Sequence, residues 1–550
     1  MIKNYFKIAW RNLLKNKLFS FINISGLGLA LPFALISIMQ VMGAFEADKF
    51  HPYPERSFRI ITDVLDNNGS KTKYAVSPSS IAFKLKQDYP FIENTTHVIR
   101  DFGWEMNNKV KTLRVNSIYV EPAFFEMFGF KIEKGSIPAE PNSLAITAAK
   151  AALFFGNENP VGKTLSHPSY GDFKITAVLK DNKKKSHLKC DVMVSMETFK
   201  KFSKAGNPTD LTGFSYVLLK PGTNEKNIDA ALAAIAAGIN KQQTAGTETL
   251  QFRKQLIKKI SPAYEKLREN SYVDSMLDLS FNFAFAFGLI LLAAFNYINL
   301  TLARSISRAK EVGIRKVAGA LRYQLTLQFV CEAILIAMLS LGVGFLVMQL
   351  LKNFSYVNWF IWDVDNTAML WLMFVLFAVL TGVVAGIIPA RILSSIQPVK
   401  VLKGNITPAS FGKLGARNIL VIVQFIVTSC FIFVMSVMYS QFKYMATDNE
   451  NFNRKNIYNI SVEGDYKLLK NDISQHKNVE RAGLVSTPFG GTSAECFIKK
   501  NNQEKNAEAS YYAVNADFVS NMKLSFTAGS NLPETNSDST LNFVLLNEQA

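Results

Sequence analysis

Residues 281–303, FNFAFAFGLILLAAFNYINLTLA, run directly into residues 304–327, RSISRAKEVGIRKVAGALRYQLTL, and the change between them decides the fold. The first stretch has no charged residue and is long enough to cross a hydrocarbon core of about 30 Å, which takes about 20 residues of helix. The 304–322 loop then carries Arg304, Arg308, Lys310, Arg315, Lys316 and Arg322 against Glu311 alone. Lys and Arg beside a span are retained on the cytoplasmic side, so this loop sets the direction in which the chain is threaded. The loop reads as a short basic amphipathic helix, Ser305–Val317, broken at Gly319.

Further apolar stretches on both sides give five spans in the 550 residues: 18–42, 281–303, 325–351, 368–390 and 419–440. Residues 1–17 carry five Lys and Arg and no acid, and so do residues 391–417. With the 304–322 loop they hold fifteen of the net eighteen positive charges, all on one predicted face. A charge of +18 on a soluble protein would suggest nucleic acid; here its placement sets membrane topology, and no nucleic-acid partner is expected. The N-terminus, the 304–324 loop and the 391–418 linker are therefore expected in the cytoplasm. The 43–280 segment, the short 352–367 loop and residues 441–550 are expected outside. The first span is too long for a cleavable signal peptide, and no A-x-A site follows it closely. The mean hydropathy of +0.10 is the average of these spans and the polar segments.

The 43–280 segment reads as a mixed α/β domain. Residues 57–64 (SFRIITDV) and 173–179 (FKITAVL) have the composition of strands. Residues 122–130, 143–155, 228–237 and 250–270 read as helical. A repeat joins the two halves of the chain. Arg11-Asn12-Leu13 before the first span matches Arg417-Asn418-Ile419 before the fifth, and Phe58 and Ile60 match Tyr458 and Ile460. Tyr119–Phe125, with Phe128 and Gly135 beyond, matches Ala513–Val519, with Met522 and Gly529 beyond. The second copy stops in mid-domain, which leads to the expectation of a longer tandem protein of about 750 to 800 residues.

Catalytic chemistry finds no support in the residue pattern. Four cysteines and five histidines show no metal-ligand spacing, and no Ser/His/Asp set or paired carboxylates in a recognisable frame appears. Gly156–Thr164 (GNENPVGKT) has five residues between its glycines where a phosphate-binding loop needs four. The glycines of Ser25–Ala30 (SGLGLA) lie inside a span, where they suit close helix packing. Residues 2–14 set Ile2, Tyr5, Phe6, Ala9, Trp10, Leu13 and Leu14 against Lys3, Asn4, Lys7, Arg11 and Asn12, the pattern of a helix lying on the lipid of the inner leaflet. Lys3, Lys7, Trp10 and Arg11 are its membrane-surface residues. Glu332 is an acid well inside a span, so it faces the bundle interior or a neutralising partner.

The chain resembles the FtsX/MacB-like permeases of ABC transporters over essentially its whole length. The resemblance rests on residues 5–31 (YFKIAWRNLLKNKLFSFINISGLGLAL), 159–165 (NPVGKTL) and 175–195 (ITAVLKDNKKKSHLKCDVMVS). It continues through 296–320 (NYINLTLARSISRAKEVGIRKVAGA) and 386–404 (GIIPARILSSIQPVKVLKG). It implies an α-helical integral membrane protein with MacB-like mixed α/β periplasmic core domains and an FtsX-like transmembrane bundle, in the cell inner membrane. In that family the motif at 309–320 is a cytoplasmic coupling helix that contacts a separate ATPase. Arg308, Lys310, Glu311, Gly313, Arg315, Lys316 and Gly319 are then implied at or near the interface. The resemblance implies a non-catalytic subunit that binds no cofactor, with ATP-Mg held by the partner ATPase. A periplasmic adaptor and an outer-membrane channel are further partners it admits. The function expected is mechanotransmission, in which ATP hydrolysis by the partner moves the outer domains to export a drug, peptide or lipoprotein. The alternative is an FtsX-like signalling subunit that activates an extracytoplasmic partner without transporting anything. Two tandem copies depart from the family's four-span members, and the fused halves would take the place of a dimer.

Overall fold

The computed structural model describes residues 2–65, 70–181, 185–203, 210–242, 249–303, 305–352, 367–395 and 415–447, and, with interruptions, 452–548. The chain opens with α1 (Ile2–Lys15) and turns at Asn16 into α2 (Lys17–Glu46). At 1.5 Å per residue, 30 residues of α2 extend about 45 Å, more than the hydrocarbon core requires.

The α/β domain follows. Its elements are β1 (Ser57–Leu65), β2 (Lys71–Tyr74), β3 (Ser77–Pro78), α3 (Ser79–Asp88), β4 (Ile92–Asn107), β5 (Thr112–Val120), α4 (Pro122–Phe128) and β6 (Ile132–Gly135). Then come β7 (Ser143–Thr147), α5 (Ala148–Phe155), β8 (Thr164–His167), β9 (Gly171–Leu179), β10 (Val192–Ser195), α6 (Met196–Phe202), β11 (Leu211–Leu219), α7 (Lys226–Gln242) and β12 (Thr249–Leu256). The main strand order is β12-β1-β11-β4-β5-β10-β7-β9-β6. The long β4 passes through both lobes of the domain, and its pairing with β5 slips between Asp101 and Trp104, where Gly103 takes φ +77°. On one side of this irregularity, α3 and α7 cover β1 and β11 with Ile81, Leu85, Ile228, Leu232 and Ile235. On the other, Trp104, Leu144, Ile146, Phe173 and Ile175 form a second core with Phe154 of α5. A third core, around Phe124, Phe128 and Tyr216, joins the lobes.

Two readings of the sequence are corrected here. Residues 143–147 form a strand ahead of a shorter helix; Ser143–Ile146 are buried on both faces, so the run lacks the alternation that marks a half-exposed strand. Residues 250–270 are not a helix: β12 runs to Leu256, with Leu250 and Phe252 inward at period two, Gln251 outward between them and the basic Arg253 and Lys254 following.

The chain returns through α8 (Met276–Ala303), α9 (Ser305–Val317), α10 (Arg322–Lys352), α11 (Thr367–Ser395) and α12 (Gly415–Thr447). Among the described residues, five helices are long and apolar enough to cross a membrane: α2, α8, α10, α11 and α12. Small residues set their spacing. A Cβ on Gly28 would sit 2.9 Å from Val343 Cγ1, one on Gly382 2.7 Å from Ile334 Cα, and one on Gly386 2.6 Å from Ala333 Cβ. Gly382 and Gly386 thus let α11 approach the backbone of α10, and Gly28 does the same for α2. The second copy contributes α13 (Tyr466–Ser474), a β13–β14 hairpin (Ala494–Ile498 and Ala507–Tyr511) and α14 (Ala516–Asn521). Tyr458 and Ile460, the counterparts of β1 residues, are exposed and lie outside any strand.

Candidate coupling site

Helix α9 forms because its apolar positions recur on one face. Ala309 and Val312 point inward, and Val312 packs with Leu325 and Phe329 of α10 and with Ala390 and Leu393 of α11. Its end is set by Gly319, whose φ of +92° lies in the left-handed region. There the Ala320 N–H donates to Arg315 O at 2.9 Å and the Gly319 N–H to Lys316 O at 3.1 Å, closing the helix with a glycine cap. Two residues on, Gln324 Oε1 accepts from the Leu321 N–H at 3.0 Å and caps the start of α10. The turn between the helices is therefore fixed by hydrogen bonds at both sides.

Arg308 lies on the inward face of α9. Its Nη1 donates to Glu332 Oε2 at 2.9 Å and its Nη2 to Oε1 at 2.6 Å, a bidentate pair in which both groups are buried. Asn12 Nδ2 of α1 donates to the same Oε1 at 2.9 Å. The guanidinium carbon stands 5.7 Å from the centroid of the Phe329 ring, within cation–π range. Burial alone would push the Arg308 pKa down, but Glu332 reverses this and holds it above its ordinary value. The ion pair thus joins α1, α9 and α10 at one point.

Further bonds spread outward from it. Arg315 Nη1 donates to Gln328 Oε1 at 2.6 Å and its Nη2 to Glu311 Oε1 at 2.6 Å. Lys316 Nζ donates to Ser394 O at 2.5 Å, in the last turn of α11, where a cation suits the helix dipole. Burial lowers the Lys316 pKa, and Arg322 adds to the effect. Thr326 Oγ1 donates to Ser394 Oγ at 3.0 Å.

The residues singled out from sequence separate into two groups. Arg308 and Gly313 are buried, and Arg315 and Lys316 are half-buried and engaged within the bundle. Glu311 and Gly319 are exposed, and the Lys310 side chain lies outside the described residues. Ile314 and Val317, 63% and 65% exposed, give this surface an apolar character that the charge pattern did not suggest. Lys3, Lys7, Trp10 and Arg11 are exposed on α1. The apolar face of α1 divides: Ala9 and Leu13 pack into the bundle, while Phe6, Trp10 and Leu14 stay open. Asn12 was missed as a partner of Glu332. The signal available for it was the Arg-Asn pair repeated before the fifth span.

Residues 20–235 match the family model of the MacB-like periplasmic core domain, and residues 283–398 match that of the FtsX-like permease C-terminal domain. The chain belongs to the FtsX/MacB-like permeases of ABC transporters. It is 24% identical over 286 residues to the macrolide export ATP-binding/permease protein MacB of Chlorobium luteolum, an alignment covering 51% of this chain and 40% of that protein. It is 27% identical over 119 residues to the uncharacterized ABC transporter permease YknZ of Bacillus subtilis, covering 21% and 28% of the two chains. Among solved structures, the periplasmic region of MacB from Actinobacillus actinomycetemcomitans aligns at 15% identity with a TM-score of 0.27, over 35% of this permease and 87% of that chain. The permease thus spans less than half the length of these full-length relatives. It is a membrane protein with a periplasmic-type α/β domain, and the node of Arg308, Glu332 and Asn12 lies within and beside its FtsX-like region.

Proposed function

We propose that this permease is the membrane subunit of an ABC exporter, driven by a separate cytoplasmic ATPase that docks on the exposed face of α9. The observation that carries this reading is the buried Arg308–Glu332 pair, which fastens α9 to α10 so that force applied to one reaches the other. The basic loops orient α9 and the N-terminus toward the cytoplasm and the α/β domain toward the periplasm of an inner membrane. ATP-Mg binds to the partner. Closure of that partner presses on Glu311, Ile314, Val317 and Gly319, α10 carries the displacement, and the α/β domain moves a drug, peptide or lipoprotein already outside the bilayer centre. Scarcity of charge in the spans supports motion of the domain over an aqueous pore. Macrolide export in the names of several relatives supports efflux as the process.

The test is co-purification of the full chain with an ABC ATPase subunit from the same cells. Ile314→Asp combined with Glu311→Arg is expected to abolish the complex and leave the permease folded. Unaltered complex formation would overturn the proposed surface. Intact export in a deletion strain, with loss of an envelope hydrolase activity instead, would transfer the same lever to signalling.

A further inference from the structure

A second polar cluster, buried and unused by the coupling reading, lies where the chain leaves α2. Asp48, the second residue beyond that helix, has φ +60° and no exposed side chain. Its N–H donates to Lys185 O at 3.1 Å, and its carboxylate accepts from Ser186 Oγ at 2.7 Å and from the His187 N–H at 3.2 Å. The rings of His187 and His51 close on the same carboxylate, with Nδ1 of the first 2.8 Å from Oδ2 and Nε2 of the second 3.1 Å from Oδ1. From there the cluster reaches the domain core: His187 Nε2 is 2.6 Å from the buried Tyr216 hydroxyl of β11, and His51 Nδ1 is 2.8 Å from Phe128 O at the end of α4.

The same short segment also holds the other crossing. Lys185 Nζ pairs with Asp274, two residues before α8 begins, and the Tyr272 N–H donates to His187 O at 3.3 Å. Residues 185–187 therefore touch both strands of chain that join the α/β domain to the bundle, and they belong to a stretch the sequence singled out without giving it a task. A structural loop would satisfy its own backbone. This one turns three consecutive residues onto groups from two distant segments, over a carboxylate that would be costly to bury unless fully bonded.

We propose that Lys185–His187 is a bracket that fastens both membrane crossings to the core of the α/β domain, so that α2 and α8 carry the domain as one rigid body. This rests on the coupling reading only for its purpose; the rigidity itself is measurable without any ATPase. With the four native cysteines replaced by serine, spin labels placed by Leu29→Cys on α2 and Phe83→Cys on α3, both exposed positions, report the distance between span and domain in the full chain in lipid nanodiscs. The parent is expected to give one narrow distribution. Asp48→Gly removes the carboxylate while keeping the left-handed backbone that glycine adopts freely, and it is expected to widen the distribution at least twofold. Lys185→Met and Ser186→Ala, which leave residue 48 untouched, are expected to widen it less, and they carry the test if Asp48→Gly loses its sheet signal in circular dichroism. A folded Asp48→Gly chain as narrow as the parent, or narrow distributions in both other variants, would overturn the bracket. Failure of the coupling reading has a different signature: the ATPase does not bind, whatever the distance distribution does.

Discussion

In the first copy of the repeat, α4 buries Phe124, Phe125 and Phe128 in the core of a twelve-stranded sheet; in the second, α14 and the residue that follows it bury Phe518, Val519 and Met522 at the matching positions, where the sheet among the described residues has two strands. The punctuation agrees as well. Gly135 has φ +89° and Gly529 φ +84°, and Asn515 caps α14 by accepting from the Phe518 N–H at 3.0 Å, where Pro122 opens α4. The spans differ more. Half of the apolar window of α2 is buried and none of that of α12, although the mean hydropathy of α12 is the higher. Helix α2 meets the bundle through Asn23, Gly28 and Ser37, whereas α12 rests mainly on α8, through Phe431 against Phe285 and a 3.0 Å hydrogen bond from Asn299 to Gln424. Apolarity fixes that a helix can sit in lipid, and small and polar residues fix what it sits against.

The strongest way to break the comparison is to remove one charge from the first copy's node. Glu332→Ala leaves Arg308 buried and unpaired and is expected to cost about 3–5 kcal/mol, read as the melting transition of the purified chain in detergent. Replacing both partners, Arg308→Met with Glu332→Leu, should restore most of that stability but not the response to an ATPase. Equal melting of Glu332→Ala and parent would remove the node from the account of the fold.

Acid provides a second contrast, because His51, His97, His167 and His187 are buried in the first copy while His476 is exposed in the second. Burial lowers the His97 pKa to about 4, between Ser215 Oγ and Thr212 Oγ1 at 3.0 and 3.2 Å. A histidine whose folded pKa is depressed contributes stability that is complete above its unfolded value and is lost as pH falls through the window from about 6.5 to 4. Over that window the α/β domain should lose on the order of 3 kcal/mol from His97. His97→Gln should make the pH dependence of its melting shallower, while His187, whose pKa burial also lowers, keeps its own share. An acid limb that stays as steep in His97→Gln would assign the effect elsewhere.

The smallest effect separates the repeated asparagines. Asn12→Ala removes a hydrogen bond to the Glu332 carboxylate and should cost about 1–2 kcal/mol. Asn418 is exposed, and its replacement by Ala should stay within about 0.5 kcal/mol. Equal losses from the two would mean that the second copy has a polar node of its own.

What the sequence disclosed follows from the range of each signal. Span lengths, the bounds of α9 and the break at Gly319 are local, written in apolar runs, period and one glycine. The strand at 143–147 was hidden because burial on both faces erases alternation, and β12 because its basic residues imitate a solvated helix face. The need of Glu332 for a partner was legible, but the choice of Arg308 over five neighbouring cations depends on which face of α9 turns inward. Asp48, His51 and His187 come from segments more than a hundred residues apart, and only the folded sheet brings them together.

The close approach of α10 and α11 at Gly382 and Gly386 bears on how well this molecule could deliver force. A single helix is a slender rod that bows under an end load. Two rods bonded along their length share a neutral axis between them, and each then resists bending in proportion to the square of its distance from that axis. Keyed together by two glycines and pinned to each other at Thr326 and Ser394, the pair behaves as a girder. Adding a methyl group at either glycine would part the two members and leave a softer beam, with every charge in the molecule still in place.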